Sequence, residues 1–164
     1  DRTVLSYEEM NGYCNRAIKL NPNCKLTLIL MQVNDIEDYM KNEGSGFVQD
    51  LLQSVQDTVR RHVGHRGIVC PLQPNLMSVV VQDINSDIKL RAFIESLRSR
   101  IAWNYRLVDP KYEISFSFGV ACYPENGMDM RIVHRKLVKA LQMAQEKHTN
   151  CYVIYKEHLH GELS

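Results

Sequence analysis

The side chains best suited to metal or redox chemistry in this sequence are five cysteines and six histidines. Cys14, Cys24, Cys70, Cys122 and Cys151 make an odd set, and no two stand at the C-x-x-C spacing that closes a thiolate pair on zinc or a redox disulfide. Cys70, Cys122 and Cys151 sit in or beside apolar runs, where a free thiol behaves as a small hydrophobe. His62 and His65 are three residues apart and His158 and His160 two apart. No cysteine or carboxylate completes a tetrahedral set beside either pair, so they read as exposed residues of a helix end and a tail. The pattern is that of reduced, inert thiols in a cytoplasmic protein, with no metal and no cofactor expected. The carboxylates Asp35 and Asp38 fall in the first turn of a helix, where negative charge favours the dipole. Asp83 reads as a loop or cap residue ahead of another helix. The basic cluster "VRRHVGHR" (59–66) reads as a solvated helix C-terminus, which favours positive side chains.

The bulk properties narrow the field in the same direction. A chain of 164 residues suggests one domain, able to bury about 70% of its unfolded surface without a metal or disulfide. The apolar fraction is 45%, the charged fraction 24% and the net charge +1, which marks neither a general nucleic-acid binder nor an anionic-membrane binder. No apolar run reaches the roughly 18 residues of a membrane span, and there is no signal peptide. The two chain ends read as boundaries within a larger parent protein.

Any site in such a chain must be positioned by alternating elements. Residues 4–20 are expected to be a helix, stopped by "NPN" at 21–23. "KLTLILMQV" (25–33) is a continuous apolar run, as in a strand buried on both faces. Asn34, with Glu37 three residues on, predicts an N-cap and capping box for a short helix, broken by Gly44 and Gly46. Phe47, Leu51, Val55 and Val59 recur at helical spacing and predict a helix over 47–63. "GIVCPL" and "LMSVVVQ", joined by "QPN", predict a hairpin over 67–72 and 76–82. Ser86 caps a helix over 86–102. A strand follows over 112–122, then an amphipathic helix over 129–148, and "CYVIY" (151–155) as a last strand. The order is α-β-α-α-β-β-α-β-α-β. It predicts an α/β (α+β) domain: a mainly antiparallel, palm-type, ferredoxin-like sheet covered by helices.

Three segments carry a resemblance. "FSFGVACYPENG" (116–127) resembles the strand and loop that diguanylate cyclase, or GGDEF, domains write as S-x-G-V-A-x-Y-P-x-D-G. "KALQMAQEKHTN" (139–150) resembles the family's x-A-L-Y-x-A-K-x-x-G-R-N, with Ala140, Leu141, Ala144 and Asn150 matching. "LTLILMQVNDIEDYMKNEG" (26–44) resembles its L-x-L-I-D-I-D-x-F-K-x-I-N-D-x-x-G in length, apolar pattern and Gly44. The resemblance covers roughly residues 5–155 and implies a divergent member.

It also implies a chemistry, and that chemistry needs two magnesium ions held by anionic oxygens. The family's metal-binding acids fall here on Gln32, Asn34 and Asn75. The acid after Asn75 becomes Leu76, and Pro74 stands where paired glycines approach the phosphates. The guanine-reading Asn falls on Met40, an upstream Asp near Gln49, and the phosphate-contacting Lys on Gln145. The R-x-x-D site for inhibitory cyclic di-GMP falls on "GHRG" (64–67), with Arg66 but no Asp. The resemblance therefore implies a catalytically inactive, degenerate domain, serving as a regulatory or interaction module of a bacterial signalling or transcription protein. Its partners would be neighbouring domains, another protein or a second copy, without nucleic acid, membrane or cyclic di-GMP. Gln32, Asn34, Met40, Gln49, Gln73, Asn75 and Gln145 are the candidate remnant pocket. The alternative is a receptor that binds a nucleotide or small metabolite there without turnover.

Overall fold

The computed structural model describes residues 2–84, 86–108, 114–147 and 151–161. Its elements are α1 (Arg2–Leu20), β1 (Leu26–Val33), α2 (Ile36–Glu43), α3 (Ser45–Val63), β2 (Gly67–Gln73), β3 (Leu76–Gln82), α4 (Asp87–Val108), β4 (Phe116–Tyr123), α5 (Met130–Glu146), β5 (Cys151–Ile154) and α6 (Glu157–His160). The five strands form one sheet in the order β2-β3-β1-β4-β5, antiparallel except for the β4–β5 pair. The hairpin and the interior position of β4 are as expected. Residues 112 and 113 of the expected strand, and Asn150, lie outside the described residues.

β1 is apolar on both faces because both are covered. Successive strand side chains point to opposite faces, and the sheet divides them accordingly. Ile29, Met31 and Val33 join one core with Leu51, Val55 and Val59 of α3 and Ile94 and Leu97 of α4. Leu26, Leu28 and Leu30 join a second core with Cys14 of α1 and Val133, Leu137 and Ala140 of α5. β4 follows the same rule: Phe116, Phe118 and Val120 face α3 and α4, while Ala121 and Tyr123 face α1 and α5. The end of β4 is tied down by the buried Asn126. Its side-chain oxygen accepts from the Cys122 backbone N–H at 2.8 Å, and its backbone oxygen accepts from Lys136 Nζ at 2.8 Å.

Local details differ from the sequence reading. Asn34 does not cap α2. Asp35 holds the cap position in the left-handed region (φ 64) with no side-chain cap bond, because the Asn34 amide is drawn to the sheet instead. Gly44 alone breaks the chain, at φ 88, and Gly46 lies inside α3. The Ser86 cap forms, accepting from the Lys89 N–H at 3.2 Å.

His65 and His158 are exposed as expected, whereas His62 and His160 are partly buried. His62 is half-buried, packs tilted against Phe93 with ring centroids 4.7 Å apart, and places Nε2 3.3 Å from the Phe93 carbonyl oxygen. His160 Nδ1 accepts from the Lys156 N–H at 2.9 Å. Burial lowers the pKa of His62, His134 and His160, with nearby positive side chains adding to the effect at His62 and His160. Above the ordinary histidine value of about 6.5, all three rings are neutral folded or unfolded. As pH falls below that value the unfolded chain takes up protons first, so stability is lost until the lowered folded values are passed. Thermal unfolding between pH 7.5 and 5 is expected to show Tm falling with pH, with the slope reduced in His62→Gln and His160→Gln. A flat Tm over that window contradicts the burial of these rings.

The thiols follow the sequence reading. All five cysteines are free. Burial pushes Cys14 up to about 12 and Cys122 up to about 11, so neither carries thiolate at neutral pH. No helix among the described residues is long and apolar enough to cross a membrane.

Candidate functional site

The C-terminal end of β1 opens into a cleft of about 330 Å3 lined by Gln32, Val33, Asn34, Asp35, Ile36, Glu37, Asp38 and Asn75. Three elements build it. β1 presents Gln32 in register with Leu76 of β3 and Ser117 of β4. The two-residue turn of the β2–β3 hairpin brings Asn75 against the last residue of β1. The Val33 N–H donates to the Asn75 carbonyl oxygen at 2.9 Å, and Asn75 Nδ2 donates to the Val33 carbonyl oxygen at 3.2 Å. From behind, α5 supplies Gln145, whose Nε2 donates to Gln32 Oε1.

The amides of this cleft are therefore largely engaged with the protein itself. Asn34 Nδ2 donates to Ser115 Oγ at 3.0 Å and to Ser117 Oγ at 3.1 Å. Ser115 and Ser117 belong to the site although the sequence reading did not single them out. The available signal was the strand alternation of "ISFSFG", which sets Ser117 beside Gln32 once β1 and β4 are paired.

Negative charge sits at the rim rather than the floor. Asp35, Glu37 and Asp38 are exposed on and before the first turn of α2. Burial raises the pKa of the nearby Tyr39, and the charges of Asp35 and Asp38 raise it further.

The seven candidate residues do not form one pocket. Gln32, Asn34, Asn75 and Gln145 come together. Met40 is 44% exposed on α2, which buries none of its residues. Gln49 is exposed on α3. Gln73 lines a separate groove with Gln53 and Gln56 of α3, after an irregularity in β2 between Pro71 and Gln73 that shifts the strand register. Position along a family pattern does not fix the direction of a side chain, and these three point elsewhere.

A family model described as "Diguanylate cyclase, GGDEF domain" matches residues 8–151. The chain belongs to the GGDEF domain family. Among curated proteins it is similar to the Synechocystis sp. protein sll1895, itself uncharacterized: 17% identical over 142 residues, 87% of this chain but only 20% of that protein. Among solved structures it is similar to the GGDEF domain of DgcB from Caulobacter crescentus in complex with c-di-GMP, with TM-score 0.75, 12% identity and 90% and 86% of the two chains covered. It is equally similar to the active GGEEF domain of a diguanylate cyclase from Vibrio cholerae, with TM-score 0.75, 16% identity and coverage of 88% and 90%. It is similar also to the FimX GGDEF domain of Pseudomonas aeruginosa, with TM-score 0.69, 13% identity and coverage of 90% and 88%. At these identities the likeness is one of fold.

The family's chemistry implies magnesium, and the amide donors at the floor of this GGDEF domain's cleft do not suit it, its carboxylates Asp35, Glu37 and Asp38 standing exposed at the rim. Magnesium takes hard oxygens in near-octahedral geometry, favouring carboxylates. Gln32, Asn34 and Asn75 are neutral amides committed to Gln145, the β4 serines and the Val33 carbonyl. Among the described residues no group of three or more His, Cys, Asp and Glu side chains converges on a point where a metal ion could sit. The segment 64–67 is engaged as well. The Arg66 guanidinium lies 5.1 Å from the Phe93 ring centroid and donates to the His62 carbonyl oxygen at 2.7 Å.

Proposed function

We propose that this GGDEF domain is a non-catalytic regulatory or interaction module, working in the cytoplasm as part of a larger bacterial signalling or transcription protein. One observation carries the reading. At the end of β1, where cyclase chemistry needs carboxylates, the cleft has amides bonded to one another and to the sheet. Such a cleft keeps the fold while offering little to a metal–nucleotide complex, so the domain's use lies in what its surface contacts. The runner-up is a receptor that binds a nucleotide or small metabolite without turnover. It draws on the cleft's remaining volume and on its amide and hydroxyl lining, which suits a neutral hydrogen-bonding ligand.

Thermal shift separates the two, because a ligand that binds only the folded state raises its stability with occupancy. The module reading expects a flat Tm across GTP, GDP and a panel of neutral metabolites. A saturable rise that Asn75→Leu abolishes establishes the receptor reading instead. Consumption of GTP overturns both.

The same reading predicts no tight cyclic di-GMP binding. Recognition of a phosphodiester by the family's R-x-x-D pair relies on paired, charge-assisted bonds, and Arg66, bonded to the His62 carbonyl oxygen and lying against Phe93, has Val69 where the pattern needs Asp. Calorimetry on the purified domain is expected to show no binding tighter than about 10 μM. Sub-micromolar binding that Arg66→Ala removes contradicts this.

A further inference from the structure

Helices α3 and α4 pack antiparallel: His62 lies against Phe93, and Thr58 against Asn104. Their outer faces leave a groove of about 490 Å3, lined from α3 by Thr58 and Arg61 and from α4 by Ser99, Arg100, Trp103 and Asn104. On α4, Ser96, Ser99, Arg100 and Trp103 occupy positions i, i+3, i+4 and i+7, which lie along one face of a helix.

The groove has a built floor. Thr58 is only 3% exposed, and its hydroxyl is saturated. It donates to the Ser54 carbonyl oxygen at 2.9 Å and accepts from Asn104 Nδ2 at 3.0 Å and the Arg61 guanidinium at 3.4 Å. A buried hydroxyl so bonded fixes the groups that bond to it, which here are Asn104 and Arg61.

The groove's charge has one sign. No carboxylate lines it, and among the described residues neither Arg61 nor Arg100 takes part in an ion pair. Arg100 contributes to the positive field that lowers the pKa of His62. Beside these arginines Trp103, the chain's single tryptophan, is 63% exposed. Tryptophan and arginine are the side chains most enriched among interface anchors, and a surface left to solvent has no need to gather them without acids between.

We propose that this groove docks a short acidic segment of a partner protein, with carboxylates on Arg61 and Arg100 and an apolar side chain against Trp103. Charge complementarity selects the occupant. Arginine forks match carboxylates in paired bonds, and two cations suit a segment with a few acids. A nucleic-acid track engages several phosphates at once, on a surface more basic than a chain of net charge +1 provides. The groove lies on the outer helices, separate from the cleft, and its role holds whether or not the cleft turns over nucleotide.

Trp103 reports on the site directly. The probe is the acetylated, amidated peptide Asp-Glu-Phe-Asp-Glu-Leu, titrated against tryptophan emission. A saturable change with Kd near or below about 1 mM is expected. It should weaken about tenfold or more in Arg61→Gln/Arg100→Gln and in 0.5 M salt. The same peptide with lysine at every acid should give no response. Both arginines are exposed, so the double variant keeps its fold, checked by circular dichroism. Calorimetry on Trp103→Ala is expected to show the apolar part of the contact as an approximately tenfold loss. The proposal is overturned by no saturable change up to about 5 mM, by equal binding in the double glutamine variant, or by an oligothymidylate that binds tighter than the peptide. Binding lost in Asn75→Leu but retained in the double variant assigns the peptide to the cleft and overturns it too.

Discussion

Gly119→Ala is expected to destabilise this domain by about 3 kcal/mol or more, the upper range for overpacking a tight core, and to lower Tm by about 10 °C. A Cβ on Gly119 would stand 2.3 Å from the Leu141 nitrogen, 2.8 Å from the Leu137 carbonyl oxygen and 2.8 Å from the Leu141 Cα. All three belong to the backbone of α5, so no side-chain rotation relieves the clash. The helix must lift off β4. That movement would pull Val133, Leu137, Ala140, Leu141 and Ala144 from the core in which all are buried. It would also shift Gln145, the residue of α5 that bonds Gln32 in the cleft. One added methyl therefore acts on packing and site together. Gly46→Ala is the control: it lies within α3, its Cβ would meet nothing within 4 Å, and helix propensity makes the change favourable by about 0.5–1 kcal/mol. Urea or thermal unfolding of the two variants should shift in opposite directions. A Gly119→Ala protein with wild-type Tm contradicts the seating of α5 on β4.

The elements legible in the sequence are those whose signal is carried by many residues at once. The unbroken run of β1 required cover on both faces, and the structure supplies it with two cores. The "QPN" turn and the apolar periods of α3 and α5 stood out for the same reason. What failed to show was settled by single contacts across the chain. Asn34 followed by Glu37 has the local chemistry of a cap. The serines that draw its amide away stand 81 and 83 residues further on, and the register of β4 against β1 decides the competition. The helix α6 has no apolar period to announce it. It is held by tertiary bonds, among them Lys136 to Glu157 at 2.5 Å and Lys139 to the His160 carbonyl oxygen at 2.8 Å.

The candidate site was legible to the same degree and for the same reason. Gln32, Asn34, Asn75 and Gln145 lie at strand ends or on a core helix, where the fold dictates direction. Met40, Gln49 and Gln73 lie where it does not. Positions that the packing determines could be inferred from a resemblance of pattern, and solvent-facing ones could not. The α3–α4 groove was missed because core-facing periodicity gives no account of the opposite stripe of a helix.

With GTP and magnesium or manganese, this domain is expected to form no detectable cyclic dinucleotide. Phosphoryl-transfer enzymes of this kind work by positioning and by neutralising charge at the transferring group, and the metal ions supply most of that neutralisation. Gln32, Asn34 and Asn75 present neutral amides, and Met40, 44% exposed on α2, offers guanine no hydrogen bond. Gln32→Asp alone is not expected to restore activity. The new carboxylate, one methylene shorter than Gln32, would stand farther from Gln145 Nε2, which now donates to Gln32, and would still face amides at Asn34 and Asn75, and groups that act as a unit fail together. Asn75→Asp alone fares no better, because it gives up the bond to the Val33 carbonyl oxygen that now fastens the hairpin to β1. The assay is nucleotide-product analysis on the purified domain at high concentration, so that encounter of two domains is not limiting. Turnover above a protein-free blank overturns the inactive reading. The acids to test next are then Asp35, Glu37 and Asp38, which line the cleft. Asp83 is not among them, because its N–H bonds the Lys25 carbonyl oxygen at 3.4 Å, just before β1 begins. The stretch of β1 from Leu26 to Met31 separates it from the cleft, so a carboxylate there cannot share a metal ion with Gln32 or Asn75.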